Sequence, residues 1–387
     1  MPVPVAGSER AYAPFLTSPC PSSGGETNTL NESYHLASLD RCKHRLECLC
    51  LNYLTSKKGK HYMSTRLGIG LGCVISMALG LVLPAAAEEF AWHTDQEAGV
   101  SKLTFGDKLV LKYMFAYDPS TKDSLHDTYK VYHHVYGPGS GELITKGPGG
   151  LYTHHRGMYV GWNKTQVEGG KTYDFWHCKD GAHLLHVAFV EQVATADRAS
   201  MTSEIHWNSA AGDPIVRELR TVTVHPEPGM QAYRIDWSSK LESKAGNLTL
   251  TGDRQHAGFQ FRAAQEVAET NGARFIRPAN APQAAEAIQV GDAGDPPAHI
   301  NFEWFAQTFE VGGKRYTVEY FDNPQLPKPS LFSERPYGRF GTFFTTKLGS
   351  DQPLHLQYRL IVSEGDAPAV KEIQSRYDAF VKDLANQ

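Results

Sequence analysis

The sequence predicts a mostly β fold, a large antiparallel β-sandwich closed by one C-terminal amphipathic helix. Three observations predict it. Apolar residues alternate with polar ones through much of residues 88–387, Gly- and Pro-rich punctuation separates those runs, and one stretch near the end has helical spacing. Side chains in a strand point alternately to opposite faces, so each alternating run buries one face and wets the other.

Taken in order, residues 1–62 are rich in Ser, Gly, Cys and Thr and show no sustained period, so they are expected to lie outside the fold, as an extension upstream of a natural initiator at Met63. Residues 63–87 read as a secretory signal. A basic start (Ser64-Thr65-Arg66) precedes an apolar run from Leu67 to Leu83, and Pro84-Ala85-Ala86-Ala87 supplies a small-residue exit with cleavage expected after Ala87. The expected product is exported, periplasmic or secreted. Nothing after Leu83 is apolar and long enough to span a bilayer as a helix. Of the six cysteines, only Cys178 lies beyond residue 87, so the processed chain would have no internal disulfide. Cys42, Cys48 and Cys50 lack a fourth ligand at zinc spacing. Stability must come from a large core, which residues 88–387 can supply as a single domain.

Within that domain, Leu109, Leu111, Tyr113, Phe115 and Tyr117 fall on one face of a strand, as do Tyr233, Ile235 and Trp237 in another. The cleanest run is Leu354, Leu356, Tyr358, Leu360 and Val362, alternating with His355, Gln357 and Arg359. Gly137-Pro138-Gly139, Gly147-Pro148-Gly149, Glu227-Pro228-Gly229 and Gly312-Gly313 punctuate them as turns. Residues 264–298, Ala- and Pro-rich, read as an insertion or lid. The helix is expected over 367–386, where Val370, Ile373, Tyr377, Phe380, Val381 and Leu384 recur at helical spacing; Asp366 can cap its first turn and Pro368 is tolerated there.

A net charge of −4 with 21% charged residues and no basic face argues against a nucleic-acid partner. The polar groups gather elsewhere. Thr153-His154-His155-Arg156-Gly157 and Asp174-Phe175-Trp176-His177 pack titratable groups at a density that is expensive to bury, which points to a polar pocket. In Asp253–Arg262, alternation puts His256, Gln260 and Arg262 on one face and Phe259 and Phe261 on the other. A third segment carries Asn323, Arg335 and Tyr337 on loops shaped by Pro and Gly.

These motifs, His-His-Arg-Gly (His154–Gly157), Asp-Phe-Trp (Asp174–Trp176), Asp-Arg-x-His-x-Gly-x-Gln-Phe-Arg (Asp253–Arg262), Asp-Asn-Pro (Asp322–Pro324), Arg-x-Tyr-Gly (Arg335–Gly338) and Leu-x-Tyr-Arg-Leu (Leu356–Leu360), occur in one order from Thr104 to Val362. Together they resemble a family of exported bacterial proteins often labelled methane-oxygenase-like. Many members of that family carry a Gly-His-Gly segment after the His-His-Arg motif, where this chain has Gly161-Trp162-Asn163-Lys164.

Three functions fit the residues. The first is a carbohydrate-active enzyme on a sandwich similar in architecture to the aldose-epimerase supersandwich, such as an epimerase, lyase or hydrolase. His155 and His256 would be its acid/base pair, and Asp174 would hold a His ring in one tautomer. Arg156, Arg262 and Arg335 would bind hydroxyls or a carboxylate, and Trp162 or Trp176 would stack on the apolar face of a sugar. His154, His177, Gln260, Asn323 and Tyr337 complete the expected contacts to a small carbohydrate or other polar, ring-shaped ligand. No cofactor is expected under this reading. The second function is a metal-dependent enzyme with a transition ion on His154, His155, His177 and His256. Adjacent histidines in a strand point apart, however, so His154 and His155 share an ion only across a bulge or turn. The third is a glycan-binding module without catalysis.

Overall fold

The computed structural model describes residues 88–281 and 299–386; the expected extension, the signal segment and residues 282–298 of the expected lid lie outside the described residues. Two eight-stranded sheets form the fold. The first runs, in spatial order, through Phe90–Asp95, Val100–Phe105, Lys108–Met114, Tyr132–Val135, Met158–Trp162, Ala257–Arg262, Arg339–Phe343 and Leu331–Arg335. The second runs through Arg274–Ile276, Trp304–Val311, Lys314–Asp322, Leu354–Glu364, Ala232–Ser243, Pro214–Pro226, Ala199–Asn208 and His183–Ala194. A four-stranded third sheet (Thr346–Leu348, Leu248–Thr251, Lys164–Val167, Thr172–Tyr173) continues from strand ends of the first. Among the named strands the pairings are antiparallel, as the sequence predicts.

The main core lies between the two large sheets. Val160 and Phe259 from the first meet Trp237, Tyr320 and Tyr358 from the second, with Phe259 4.7 Å from Trp237 and 4.8 Å from Tyr358 between ring centroids. One buried ion pair sits inside this apolar layer. Glu218 accepts hydrogen bonds from Arg220 Nε (2.8 Å) and Nη2 (2.9 Å), from Trp207 Nε1 (2.9 Å) and from Ser239 Oγ (2.6 Å). A buried carboxylate is tolerated when its lone pairs are used in this way.

The C-terminal helix spans Val370–Ala385 and buries Ile373, Tyr377, Phe380 and Leu384, the predicted face. They pack on Trp304, Ala306, Phe321 and Ile361, on the outer side of the second sheet. This explains why the strand Leu354–Glu364 departs from simple alternation. Arg359, expected on a wet face, is buried beneath the helix, where it reaches Asp236 and Asp383 (2.8 Å) and lies over Phe380. Asp366 does not cap the helix; its position before the first turn is taken by Ala369, and Asp366 instead pairs with Arg315 at 2.8 Å. The first part of the expected lid is integral to the fold: Gln265–Thr270 is a helix and Arg274–Ile276 pairs with Trp304–Val311.

His133 occupies the core side of the first sheet, buried, stacked on Tyr113 at 4.7 Å and edge-on to Trp237 at 5.4 Å, with neither ring nitrogen hydrogen-bonded among the described residues. Burial first, then the Arg220 guanidinium and His134, hold its pKa well below the ordinary value of 6.5. The unfolded chain therefore takes up a proton that the fold refuses. The stability this contributes is complete above the unfolded pKa and is lost as pH falls through it toward the folded value. His133→Phe keeps an aromatic ring and removes that proton. It should flatten the acid-side fall in unfolding free energy by about 1.4 kcal/mol per pH unit between about pH 6 and pH 4. Urea midpoints across a pH series check this; parallel profiles for both proteins would contradict it.

Candidate functional site

Alternation decides which residues of the first sheet can form a site. In the pair Met158–Trp162 and Ala257–Arg262, Val160 lies opposite Phe259 and Tyr159 opposite Gln260. The former pair enters the main core. Tyr159, Gln260 and Arg262 therefore fall on the outer face, where Tyr132, Tyr159 and Trp176 make a separate small aromatic cluster. Two turns and a loop fold over this face. At Gly157 a Cβ would meet the His133 carbonyl oxygen at 2.1 Å, so only glycine lets the loop carrying His154 and His155 join the sheet this closely.

Three histidines converge above it. One ring nitrogen each from His154, His177 and His256 lies within 4.8 Å of the others. Their ring centroids are 4.6 Å (His177–His256), 5.1 Å (His154–His177) and 6.1 Å (His154–His256) apart. Two are presented by turns of the same design. Asp174 Oδ1 accepts the backbone N–H groups of Trp176 (3.0 Å) and His177 (2.7 Å), while its Oδ2 meets His177 Nδ1 at 2.8 Å. Asp253 Oδ1 accepts the Gln255 N–H (2.9 Å) and meets His256 Nδ1 at 2.9 Å; its Oδ2 accepts from Asn163 Nδ2 at 2.8 Å. With Nδ1 donating to a carboxylate, each Nε2 keeps its lone pair and faces away from that acid. His154 Nε2 is buried with no hydrogen-bond partner among the described residues.

The surroundings are cationic. Arg262, Arg339 and Arg335 stand side by side across three strands, all buried. Burial first, and then Arg339 among its neighbours, bring the Arg262 pKa down to about 9. Lys130 is buried among the rings of Tyr129, Tyr159 (4.4 Å from Nζ to centroid) and Trp176, and donates to the Trp176 carbonyl. Burial brings its pKa to about 7. Burial, followed by Lys130 and Arg262, pushes His154 down to about 2, so its imidazole is neutral. Burial pushes the Asp174 and Asp253 carboxyls up, but hydrogen bonds from their histidines and from nearby N–H groups hold both below the usual carboxylate range.

The structure brings together His154, His177, His256 and Asp174, and sets Gln260, Arg262 and Trp176 beneath them. It does not pair His155 with His256. The His155 ring is buried against Tyr152 (4.9 Å) and Tyr337 (5.8 Å), and Asp174 serves His177. Arg156 is fully buried and spends its fork on three backbone carbonyls, of Thr153 (2.6 Å), His155 (2.8 Å) and His126 (2.6 Å), so it ties the loop down and does not face a ligand. Trp162 shares parity with Met158 and Val160 and lies in the main core, bonded to the Phe344 carbonyl; it has no face for stacking. Trp176 is buried too, against Tyr159 and Arg262. Gln260 links Arg262 Nη1 (2.6 Å) to the carbonyls of Arg254 and Ala257. Asn323 follows a strand of the second sheet and closes its own turn on the Gln325 N–H. Arg335 donates to the Glu334 carbonyl. Asp253 and Lys130 were not foreseen. Asp253 had a readable signal, since Asp174-x-x-His177 and Asp253-x-x-His256 repeat one spacing; Lys130 had none beyond a cation among tyrosines.

Residues 101–378 match the Family of unknown function (DUF6807), and the chain belongs to that family. No curated protein matches the chain. Solved structures similar to it include the GH36 alpha-galactosidase AgaA from Geobacillus stearothermophilus in complex with raffinose, at 10% identity and a TM-score of 0.31, covering 72% of this chain and 41% of that one. The galactosidase domain of alpha-galactosidase-sucrose kinase, AgaSK, is similar at 9% identity and a TM-score of 0.34, covering 71% of this chain and 42% of that one. A galactose mutarotase related enzyme from Lactobacillus acidophilus is similar at 7% identity and a TM-score of 0.32, covering 72% and 97%. The chain thus spans about two fifths of the length of the two galactosidases. Likeness this distant carries no chemistry to this chain.

If Arg156 is a structural tie, Arg156→Met strands three carbonyls and should lower the unfolding free energy by about 3 kcal/mol. Urea denaturation measures it; a variant as stable as the parent would return Arg156 to the ligand-facing set.

Proposed function

We propose that this member of the family is a metal-dependent enzyme in which His154, His177 and His256 hold one divalent transition ion. The observation that carries this reading is the convergence of three imidazole nitrogens within 4.8 Å, two of them on rings whose other nitrogen is bonded to a carboxylate. Imidazole donors suit Zn, Cu, Fe and Ni, and three protein ligands leave a coordination position for water or a substrate oxygen. Bound there, the ion would lower the pKa of water or polarise a carbonyl or hydroxyl oxygen. Asp174 and Asp253 fix the tautomer and aim of their rings. Both carboxylates are committed to histidines, which argues against a glycosidase working through two free carboxyls.

The substrate class is a small oxygen-rich molecule, a sugar or sugar derivative. Supporting it are the neutral and cationic hydrogen-bonding groups on one sheet face and the aromatic rings bordering the histidines. The apolar run Leu67–Leu83 and the Ala85-Ala86-Ala87 exit support an exported setting.

Elemental analysis of the full chain, purified without chelator, should find close to one transition ion per chain. His177→Ala should lose it, and Asp174→Asn should weaken it about 10- to 100-fold, as removal of a second-layer carboxylate does elsewhere. Protein that is metal-free after growth and dialysis in each of these metals would overturn the reading.

A further inference from the structure

The chain passes from the first sheet (Met158–Trp162) to the third (Lys164–Val167) through a single residue, Asn163. Trp162 lies opposite Ala257 and Lys164 opposite Thr251. Asn163 therefore faces residues 252–256, which leave the ladder between those partners as the turn carrying Asp253 and His256.

The peptide joining Trp162 to Asn163 is bonded to both histidine turns. Its C=O accepts the Phe175 N–H at 3.0 Å, inside the turn from Asp174 to His177, and its N–H donates to the His256 carbonyl at 3.0 Å. A trans peptide is planar and points these two groups in opposite directions, so one rigid unit sets the separation of the turns. The Asn163 side chain adds a third bond, from Nδ2 to Asp253 Oδ2 at 2.8 Å. Gly252 makes room for that amide, since a Cβ there would stand 2.0 Å from Asn163 Oδ1. The two carboxylates also differ in what holds them. The Asp174 side chain is 14% exposed and the Asp253 side chain 51%, so water competes for Asp253 far more. Its other side-chain bonds among the described residues, to the Gln255 N–H and His256 Nδ1, stay within its own turn. Asn163 supplies the anchor from outside that turn.

We infer that Asn163 is a positioning residue for the three-histidine centre, holding Asp253 so that the His256 ring presents Nε2 beside His154 and His177. The role belongs to the amide donor and not to the side chain's shape, because an ionised carboxylate only accepts. The assignment deepens the metal-centre reading and rests on it for the effect on metal binding, though not for the hold on the ring.

Two readouts on the full chain test it: cobalt(II) affinity by competition with a chelator, and nitrogen-15 shifts of the histidine rings in metal-free protein. In the parent, His177 and His256 should both carry their proton on Nδ1. Asn163→Asp keeps the shape and removes the donor. It and Asn163→Ala should each turn His256 into a mixture of tautomers, leave His177 unchanged and weaken cobalt binding about tenfold. An unchanged His256 in both variants, a change at both histidines alike, or cobalt affinity equal to the parent's would overturn the assignment. The two readings fail separately. A parent that binds no cobalt while His256 still answers to Asn163 sinks the metal centre alone, and cobalt held equally by all three proteins sinks the positioning role alone.

Discussion

The hydrogen bond between a carboxylate and an imidazole, made twice, is the constraint on which the site depends. Asp174 holds His177 at 2.8 Å and Asp253 holds His256 at 2.9 Å. In both turns the same carboxylate also satisfies backbone N–H groups. Ring orientation and turn conformation are thus set by one side chain, and neither ring can rotate without breaking the turn that carries it. His154 is fixed differently. Among the described residues no carboxylate is bonded to it, and its neutrality comes from burial and from the cations Lys130 and Arg262. Two imidazoles with Nδ1 bonded to a carboxylate and one kept neutral give three lone pairs in one place.

The sandwich makes such a site affordable by separating its two faces. On the core side of the first sheet, Val160 and Phe259 join the large apolar layer. On the outer side, one residue along each strand, Tyr159, Gln260 and Arg262 bury polar atoms and charge. A row of buried arginines and a lysine ringed by aromatics are local choices a stability-driven sequence avoids, because each adds desolvation cost. Sequences break such rules where function requires it. The fold absorbs that cost through the interlayer core and through the helix over the second sheet.

Much of the fold was legible in the sequence because it rests on period and punctuation. The runs at Tyr233–Trp237 and Leu354–Val362 became neighbouring strands, and the helical stripe became the helix. Where a strand is covered on both sides, the period misleads. Arg359 sits on the face that alternation calls wet, and tertiary packing buries it. The site was legible as segments but not as roles. Clustered His, Asp and Arg marked the right loops, yet turns, not strands, carry His154, His177 and His256, so strand parity could not show which rings meet. His155 and Arg156, adjacent to a converging histidine, turned to an aromatic stack and to backbone carbonyls. Parity did hold the answer for Trp162, which shares the core-facing register of Val160.

The most direct measurement is anomalous X-ray diffraction from crystals of the full chain, collected at the absorption edges of Zn, Cu, Ni and Fe. The account predicts one dominant peak bonded to nitrogens of His154, His177 and His256 at about 2.0–2.1 Å, with the Asp174 and Asp253 contacts retained behind it. Well-ordered imidazoles with no peak between them, or a peak held by other residues, would contradict it.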